Sequence, residues 1–276
     1  MDLRALFQQP QAIVGMIHVH ALPGTPRHGE SMEQIVARAV AEAALYTRAG
    51  VDGLLIENMH DVPYLCGQVG PEITAALTAV GLAVRRESPL PLGVQILAAA
   101  NREALAVALA CGASYARVEN FAYAHVADEG LMPTAEAGPL LRYRRQIGAE
   151  HIGLVADVKK KHSSHAITAD VSLAEAAKTT EFFGADGIVV TGAATGQPTA
   201  VSDVETVRHA VRLPVCIGSG LTPENLPALW PHADVFIVGS YFKAGGLWAN
   251  EIDPARVARF LDAVALLRDQ VRRGDA

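Results

Sequence analysis

The densest group of acidic and basic side chains in this sequence lies in the segment VADVKKKHSSH, residues 155–165. Asp157 follows an apolar run, where a carboxylate needs a partner because an unpaired buried charge is costly. With Asp157 as base, His162 as acid and Lys161 as charge stabiliser, the segment could perform acid–base chemistry. Lys161 as an amine nucleophile is a weaker alternative, since it follows the run rather than lying within it. We expect Lys160 and His165 to be incidental loop residues.

Two further apolar runs end in an acid followed by an amide, Glu57-Asn58 and Glu119-Asn120. Because side chains alternate along a strand, either the acids or the amides face a shared site, but not both. Glu57 is a candidate general base or metal ligand, whereas Glu119 could instead form a structural ion pair with Arg117. The candidate substrate-binding side chains near the ends of such runs are Asn58, Gln95, Asn120 and Thr191.

The run that ends in MIHVH carries His18 and His20, which project to the same side of an extended chain. Two imidazoles at this spacing could bind a metal, and hydrogen-bonded histidines at the rim of the core are the alternative. A metal-dependent hydrolase that uses both histidines with Glu57 and Asp157 is therefore one hypothesis. The sequence implies no definite cofactor and leaves a divalent metal open.

Two glycine-serine turns, in CIGSGLTPEN and FIVGSYFK, are candidate anion sites. Glycines let backbone N–H groups approach a ligand, and N–H groups at the start of a helix attract a phosphate. SYFK could supply the short helix and Lys243 a nearby charge, while two tight turns that need glycine in any case are the alternative. A third turn, TGAATGQPT, contributes Gly192 and Gly196. The candidate phosphate-binding residues are Gly192, Gly218, Ser219, Gly220, Gly239 and Ser240.

A recurring unit indicates how these residues are positioned. In GVDGLLIEN (50–58) and GADGIVVTG (184–192), a glycine that ends a helix precedes an apolar run that ends in a polar residue or glycine. Such a run predicts a buried parallel strand. Eight runs start near Ile13, Asp52, Pro91, Ser114, His151, Asp186, Pro214 and Asp234. We therefore predict an α/β (β/α)8 TIM barrel, one domain over residues 1–276, with a doubly wound open sheet as the alternative.

Helical patterns alternate with these strands, at Met32–Ala49, Glu72–Glu87, Arg102–Cys111, Ala135–Ile147, Leu173–Phe183, Ser202–Val211, Pro223–Trp230 and Pro254–Arg272. Ser31 with Gln34 and Thr222 with Asn225 are predicted helix caps, with Pro223 at the first helical position. The loops that follow strand carboxyl ends form the active face of such barrels. The long ones are Ala21–Glu30, Met59–Pro71, Phe121–Thr134 and Lys159–Asp170.

Composition narrows the function class. A net charge of −6 without a long basic block argues against nucleic-acid binding. Cys66, Cys111 and Cys216 lie far apart, which is typical of reduced thiols in a cytoplasmic protein. We see neither a secretory signal nor an apolar stretch long enough to span a membrane, so we expect a cytoplasmic protein, with peripheral membrane association and homo-oligomerisation left open.

The chain resembles the BtpA/SgcQ family nearly from end to end, in GMIHVHALPGTPRHG, GVDGLLIENMHDVPY, LVADVKKKH, VVTGAATGQPT, IGSGLTPEN and FIVGSYFKAGGLW. The resemblance implies a barrel related to ribulose-phosphate-binding barrels. One branch of the family is associated with photosystem I biogenesis and another with a sugar-related gene cluster. The positions that match family motifs are His18, Glu57, Asn58, Asp157, Lys161, His162, Thr191, Gly218, Ser219, Gly220, Gly239 and Ser240. His20, Ala21, Gln95 and the segment WANEID depart from the family pattern.

The sequence thus predicts an enzyme that acts on a phosphorylated sugar or nucleoside-like molecule, by isomerisation, aldol-type cleavage or glycosidic cleavage. We base this prediction on the expected convergence of titratable groups and anion-binding turns on one face of the barrel. The alternatives are a non-catalytic assembly factor for a membrane complex, which the family resemblance alone suggests, and the metal-dependent hydrolase.

Overall fold

Eight parallel strands form a closed barrel in the computed structural model, which describes residues 3–7, 9–192 and 194–274. Each strand pairs with its neighbours in the chain, and β1 pairs with β8 to close the barrel. The strands are β1 (Ala12–His18), β2 (Gly53–Glu57), β3 (Leu92–Gln95), β4 (Tyr115–Val118), β5 (Gly153–Asp157), β6 (Gly187–Val190), β7 (Val215–Ile217) and β8 (Val235–Val238). The predicted (β/α)8 barrel is confirmed, and the open-sheet alternative is wrong.

Helices alternate with the strands as predicted. They are α1 (Leu3–Leu6), α2 (Met32–Ala49), α3 (Pro71–Glu87), α4 (Asn101–Cys111), α5 (Ala137–Gln146), α6 (Leu173–Phe182), α7 (Val201–Ala210), α8 (Leu226–Leu229) and α9 (Pro254–Arg273). The predicted cap of α2 is confirmed, because Ser31 and Gln34 form a reciprocal capping box. None of the described helices is long and apolar enough to span a bilayer.

One helix is shorter than predicted. The side chains of Thr222 and Asn225 do bond each other's main-chain N–H groups, at 2.9 and 3.4 Å. However, α8 begins only at Leu226, so the prediction that Pro223 is the first helical residue is wrong. Pro227 has no N–H to donate to the carbonyl of Pro223, which removes the hydrogen bond that an earlier start would need.

Apolar side chains fill both sides of the barrel wall. The larger core lies between the strands and the surrounding helices. A second core fills the barrel interior, where Leu3 of α1 and the following Phe7 are buried among inward-facing strand residues. Gly53 and Gly187 make room for them, since a Cβ at either position would lie 2.6 Å from Phe7 or Leu3. These contacts fill the lower interior and leave the carboxyl ends of the strands for the site.

Two of the long loops contribute an additional small sheet. The segments His125–Ala127 and Gly130–Met132 form an antiparallel hairpin, and Ser163–Ser164 pairs with its first strand. This sheet joins the loop after β4 to the loop after β5. The hairpin turn carries Asp128 and Glu129. Sequence patterns did not predict it, because each strand is only two or three residues long.

Candidate active site

A cavity opens at the carboxyl ends of the strands and has two parts. One part, of about 190 Å³, is bordered by loops after β6, β7 and β8, and we call it the glycine end. It is lined by Gly196, Gly218, Ser219, Gly220, Gly239, Ser240 and Arg256, among others. The other part, of about 220 Å³, we call the acid end; it is lined by Glu57, Gln95, Glu119, Lys161 and His162, among others. Glu57, Met59, Lys161 and Thr195 line both parts, so the two form one continuous site.

The loop after β7 is packed tightly against the loop after β6. Gly220 has a φ of +69°, and a Cβ there would overlap the main-chain carbonyl of Gln197. A Cβ on Gly218 would lie 2.6 Å from Val189 Cγ1. These positions therefore require glycine, and the absence of side chains exposes main-chain groups to the cavity.

Gly192 supports this arrangement from outside the cavity. Its N–H donates to Ser219 Oγ at 3.0 Å. Because that donor is already bonded and Gly192 is not among the residues that line the glycine end, the structure does not bring Gly192 to the predicted phosphate site. Gly196 and Thr195 of the same loop line it instead.

The loop after β8 forms a short 3-10 helix, Ser240–Phe242, as the segment SYFK predicts. Lys243, however, is 1% exposed, and its ammonium group pairs with Glu42 at 2.6 Å beneath this loop. The prediction that Lys243 provides the nearby charge for an anion is therefore wrong. Arg256 at the start of α9 lines the cavity instead.

Arg256 is held rigidly at the glycine end. Its Nε donates to the carbonyl of Tyr241 at 2.6 Å, and its guanidinium lies 4.2 Å from the centre of the Tyr241 ring. These contacts fix the cation beside Ser240, which also lines the cavity. Sequence reasoning missed Arg256 because it belongs to a helix sixteen residues after Ser240; its place just after the Asp253 cap was the available signal.

Asp157 is engaged in a buried ion pair rather than placed in the cavity. Arg117 donates from Nε and Nη2 to its two carboxylate oxygens, both at 2.8 Å. The side chains of the two residues are 3% and 1% exposed. The predicted role of Asp157 as a free base is therefore wrong, since both oxygens are occupied and shielded from a ligand.

The second buried pair involves a lysine that the sequence suggested was solvated. Lys160 Nζ lies 3.2 Å from Glu119 Oε2 and 3.8 Å from Glu129, and its side chain is 5% exposed. Glu119 therefore pairs with Lys160, so the predicted pair of Glu119 with Arg117 is wrong. Glu119, Glu129 and Lys160 all line the acid end, so two carboxylates and one cation are paired there before any ligand arrives.

Glu57 and Lys161 face the shared middle of the cavity. Burial raises the pKa of the Glu57 carboxyl, although the charges of Arg117 and Lys161 oppose this effect. Burial, followed by the charge of Arg117, lowers the pKa of the Lys161 amine. Both shifts favour the neutral form, so the middle of the site can hold a proton donor beside an unprotonated amine.

His18 and His20 do not act together. The Nδ1–H of His18 donates to the carbonyl of Trp248 at 2.9 Å, and burial lowers the pKa of His18 to about 3. His18 is therefore neutral and presents Nε2 as an acceptor. His20 instead contacts Glu30 and packs against His60. With Asp157 occupied by Arg117, the four proposed hydrolase ligands do not form one donor set, and the described residues contain no cluster of three or more potential ligands.

Three of the predicted substrate contacts serve other partners. Asn58 accepts from the N–H of Leu97 at 2.7 Å and donates to Asp61 at 2.8 Å, which makes it structural. Asn120 donates to the carbonyl of Thr134 and lines two other pockets. Thr191 Oγ1 accepts from the main-chain N–H of Lys161 at 3.1 Å. The acids thus face the cavity, and the amides do not.

The remaining predicted substrate contact, Gln95, and the predicted acid, His162, both line the acid end. Gln95 is 2% exposed, and its Oε1 has no hydrogen-bond partner among the described residues. His162 lies at the rim: its Nε2 accepts from the N–H of Thr195 at 3.1 Å, and its Nδ1 lies 3.3 Å from Asp128. Both positions are compatible with contact to a ligand that enters from the mouth of the barrel.

Comparisons with solved structures support the fold alone. Thiamine phosphate pyrophosphorylase from Pyrococcus furiosus superimposes with a TM-score of 0.57 at 16% identity, covering 96% of this chain and 98% of that chain. A 3-hexulose-6-phosphate synthase superimposes with a TM-score of 0.56 at 16% identity, covering 92% and 99%.

Sequence comparisons identify the family. A Caenorhabditis elegans protein, named as uncharacterized and mitochondrial, is 46% identical over 93% of this chain and 94% of its own length. The photosystem I biogenesis protein BtpA of Synechocystis is 34% identical over 96% of this chain and 92% of its own length. The BtpA family description matches residues 9–266. Because the match spans nearly the whole barrel, the chain belongs to the BtpA family.

Proposed function

We propose that this protein is an enzyme that acts on a phosphorylated sugar or a similarly sized nucleoside-like phosphate. The observation that carries the proposal is the single cavity with main-chain turns and Arg256 at one end and Glu57 with Lys161 at the other. A phosphate would be bound by the turns after β7 and β8 and by Arg256. The remainder of the ligand would then extend toward the acid end.

The cavity offers a cation for the phosphate and hydrogen-bond acceptors for the rest of such a ligand. Arg256 supplies a cation that the anion can reach, and the main-chain groups of Ser219, Gly220 and Ser240 add polar contacts, whereas the Gly218 N–H is already bonded to the carbonyl of Val190. At the acid end, the unpartnered Oε1 of Gln95 needs a hydrogen-bond donor, and so does the neutral His18 Nε2 on the side of the glycine end. Sugar hydroxyl groups are donors of this kind.

Glu57 is the proposed acid–base residue. Burial raises its pKa and so favours the protonated form, from which it can donate to a substrate oxygen and later recover the proton. Lys161 lines the cavity beside it, and the rim residue His162 stabilises charge that develops nearby. Solved barrels of this fold include proteins named for phosphorylated compounds, which agrees with the proposal.

Binding of phosphate compounds tests this proposal directly. We would titrate the protein with inorganic phosphate, ribose 5-phosphate and a nucleoside monophosphate by isothermal calorimetry, and follow the melting temperature in parallel. A ligand at about 100 times its Kd should stabilise the fold by about 2.7 kcal/mol. No binding by any of these compounds would overturn the phosphate-directed function and favour the assembly-factor alternative.

Arg256→Gln provides the site-specific arm of the experiment. A hydrogen bond to a charged group contributes about 1.5–3 kcal/mol, so the Kd should rise roughly 10- to 150-fold. Arg259→Gln is the matched control, because Arg259 lies on the same helix, pairs with Glu224 and is exposed. Equal affinities of the two variants would show that the anion does not bind at the glycine end.

A further inference from the structure

Lys161 lies where the glycine end and the acid end meet. Its side chain lines both parts of the cavity. Its main-chain N–H donates to Thr191 Oγ1 at 3.1 Å, which ties the residue to the segment that follows β6. The backbone position of Lys161 is therefore fixed, and its amine can reach a ligand bound by either part.

The neighbouring cations already have partners. Arg117 is bound to both oxygens of Asp157, and Lys160 is bound to Glu119. In the chain segments that the structure describes, no carboxylate lies within ion-pair distance of the Lys161 amine. The amine is thus unpaired and faces the site, an unusual state for a half-buried lysine that has only a structural role.

The surroundings of Lys161 favour an unprotonated amine. Burial is the largest cause that lowers its pKa, and the charge of Arg117 adds to it, while Glu57, Asp157 and Glu119 act in the opposite direction. Asp157 and Glu119 are largely neutralised by their own cation partners. Glu57 is itself shifted toward its protonated form. An unprotonated amine is the form that attacks carbon.

We propose that Lys161 Nζ is a catalytic nucleophile that forms an imine with a carbonyl carbon of the phosphorylated substrate. The amine adds to the carbonyl to give a carbinolamine. The Glu57 carboxyl donates its proton to the departing hydroxyl, which leaves as water, while the nitrogen loses a proton to the resulting carboxylate or to solvent. The sum is amine plus carbonyl giving imine plus water, and it needs no oxidant or reductant.

This inference rests on the proposed function and narrows it. The substrate class becomes a phosphorylated aldehyde or ketone, such as an open-chain aldose or ketose phosphate. The phosphate at the glycine end would hold the carbonyl at the middle of the cavity, and hydroxyl groups farther along the chain would reach Gln95. Among the reactions left open by the sequence, an imine favours aldol-type cleavage or isomerisation, because once protonated on nitrogen it stabilises a carbanion at the adjacent carbon.

Reductive trapping tests the imine. The protein would be incubated with ribulose 5-phosphate, dihydroxyacetone phosphate or glyceraldehyde 3-phosphate and sodium cyanoborohydride, then analysed by intact mass and peptide mapping. We expect one adduct on Lys161, with a mass gain equal to the ligand less one oxygen atom. Ribitol 5-phosphate, which has no carbonyl, should give no adduct, and inorganic phosphate should slow the labelling.

Variants separate nucleophilic attack from charge stabilisation. Lys161→Arg keeps the positive charge and should abolish the adduct, whereas the neighbouring Lys159→Arg should keep it. Glu57→Gln should slow adduct formation roughly 100-fold, the lower range for loss of a general acid. The trapping rate should reach half its maximum at a pH below about 10.4, the pKa of an ordinary lysine.

The outcomes distinguish failure of this inference from failure of the proposed function. Binding of the carbonyl phosphates that depends on Arg256, without an adduct on Lys161, would overturn the imine and leave the proposed function standing. An adduct that persists in Lys161→Arg would also overturn it. If none of the carbonyl phosphates, ribose 5-phosphate included, binds while a nucleoside monophosphate does, the imine fails alone; if no phosphate compound binds, both proposals fail.

Discussion

Asp157→Asn should destabilise the barrel strongly, because it removes one charge from a buried ion pair. Asp157 and Arg117 are 1% and 3% exposed, and two hydrogen bonds of 2.8 Å join them. Asparagine has nearly the same volume but can accept only one of these bonds through its oxygen. Loss of one partner from a buried pair costs about 3–5 kcal/mol, since the remaining charge is left uncompensated. That is a large part of the 5–15 kcal/mol by which most domains are stable.

The assay is urea unfolding at pH 7, followed by tryptophan fluorescence and circular dichroism. The control is the double variant Arg117→Met/Asp157→Leu, which removes both charges and should be far less destabilised than the single variant, because apolar replacements of a whole buried pair are often tolerated. A loss of less than about 1 kcal/mol in Asp157→Asn would refute the reasoning. A stable Asp157→Asn protein that still binds phosphate but lacks activity would restore the catalytic role that the sequence suggested for Asp157.

Three further predictions concern groups whose environment only the structure defines. The pKa of His18 is lowered to about 3, so below about pH 6.5 the unfolded chain binds a proton that the folded protein does not. The free energy of unfolding should therefore fall as the pH is lowered from 6.5 to 3. In urea unfolding, His18→Gln should make this fall less steep by about 1.4 kcal/mol per pH unit. An unchanged slope would contradict the buried neutral imidazole. Gly220→Ala should lower the free energy of unfolding by at least about 1–2 kcal/mol, because the φ of +69° disfavours alanine and the new Cβ would overlap Gln197. No change in the melting temperature would show that the turn is loosely packed. Lys160→Met should lower the free energy of unfolding by about 3–5 kcal/mol, because it leaves the buried carboxylate of Glu119 without its cation. Lys159→Met, the control, should change it by no more than about 0.5 kcal/mol. Similar melting temperatures for the two variants would argue against the buried pair.

The barrel could be predicted because its strands carry a local signal. In GVDGLLIEN, Gly50 ends α2 with a φ of +92°, and a buried strand follows within three residues. Each of the eight strands starts within two residues of its predicted position. Short apolar runs that alternate with amphipathic helices indicate a parallel sheet. Each run and each helix is recognised from residues that are close together in the chain, so a single sequence is enough to predict them.

The pairing of charges could not be predicted in the same way. Arg117 lies two residues from Glu119, and the sequence suggested that these two interact, but Arg117 instead reaches Asp157 on the adjacent strand. In the parallel pairing of β4 with β5, Arg117 lies beside Val155. Asp157 is two residues farther toward the carboxyl end of β5 and therefore points to the same side as Val155. Which carboxylate a buried cation binds depends on the stagger of the closed barrel, and a single sequence does not contain that information.

The glycine end was located by its place after the seventh and eighth strands, while its cation was not. Lys243 follows the SYFK turn directly, yet it is buried against Glu42 beneath the loop. Arg256 comes from the next helix and folds back over Tyr241. Proximity in the chain thus favoured the wrong cation, because the direction of a side chain after a tight turn is set by tertiary packing.

A crystal structure of the protein bound to ribose 5-phosphate would show directly which end of the cavity binds the phosphate. We expect the phosphate between the Gly218–Gly220 turn and Ser240, with the Arg256 guanidinium in contact with a phosphate oxygen and the sugar directed toward Glu57 and Lys161. A phosphate bound outside the barrel mouth, or a ligand in the cavity with its phosphate at the acid end, would contradict this expectation.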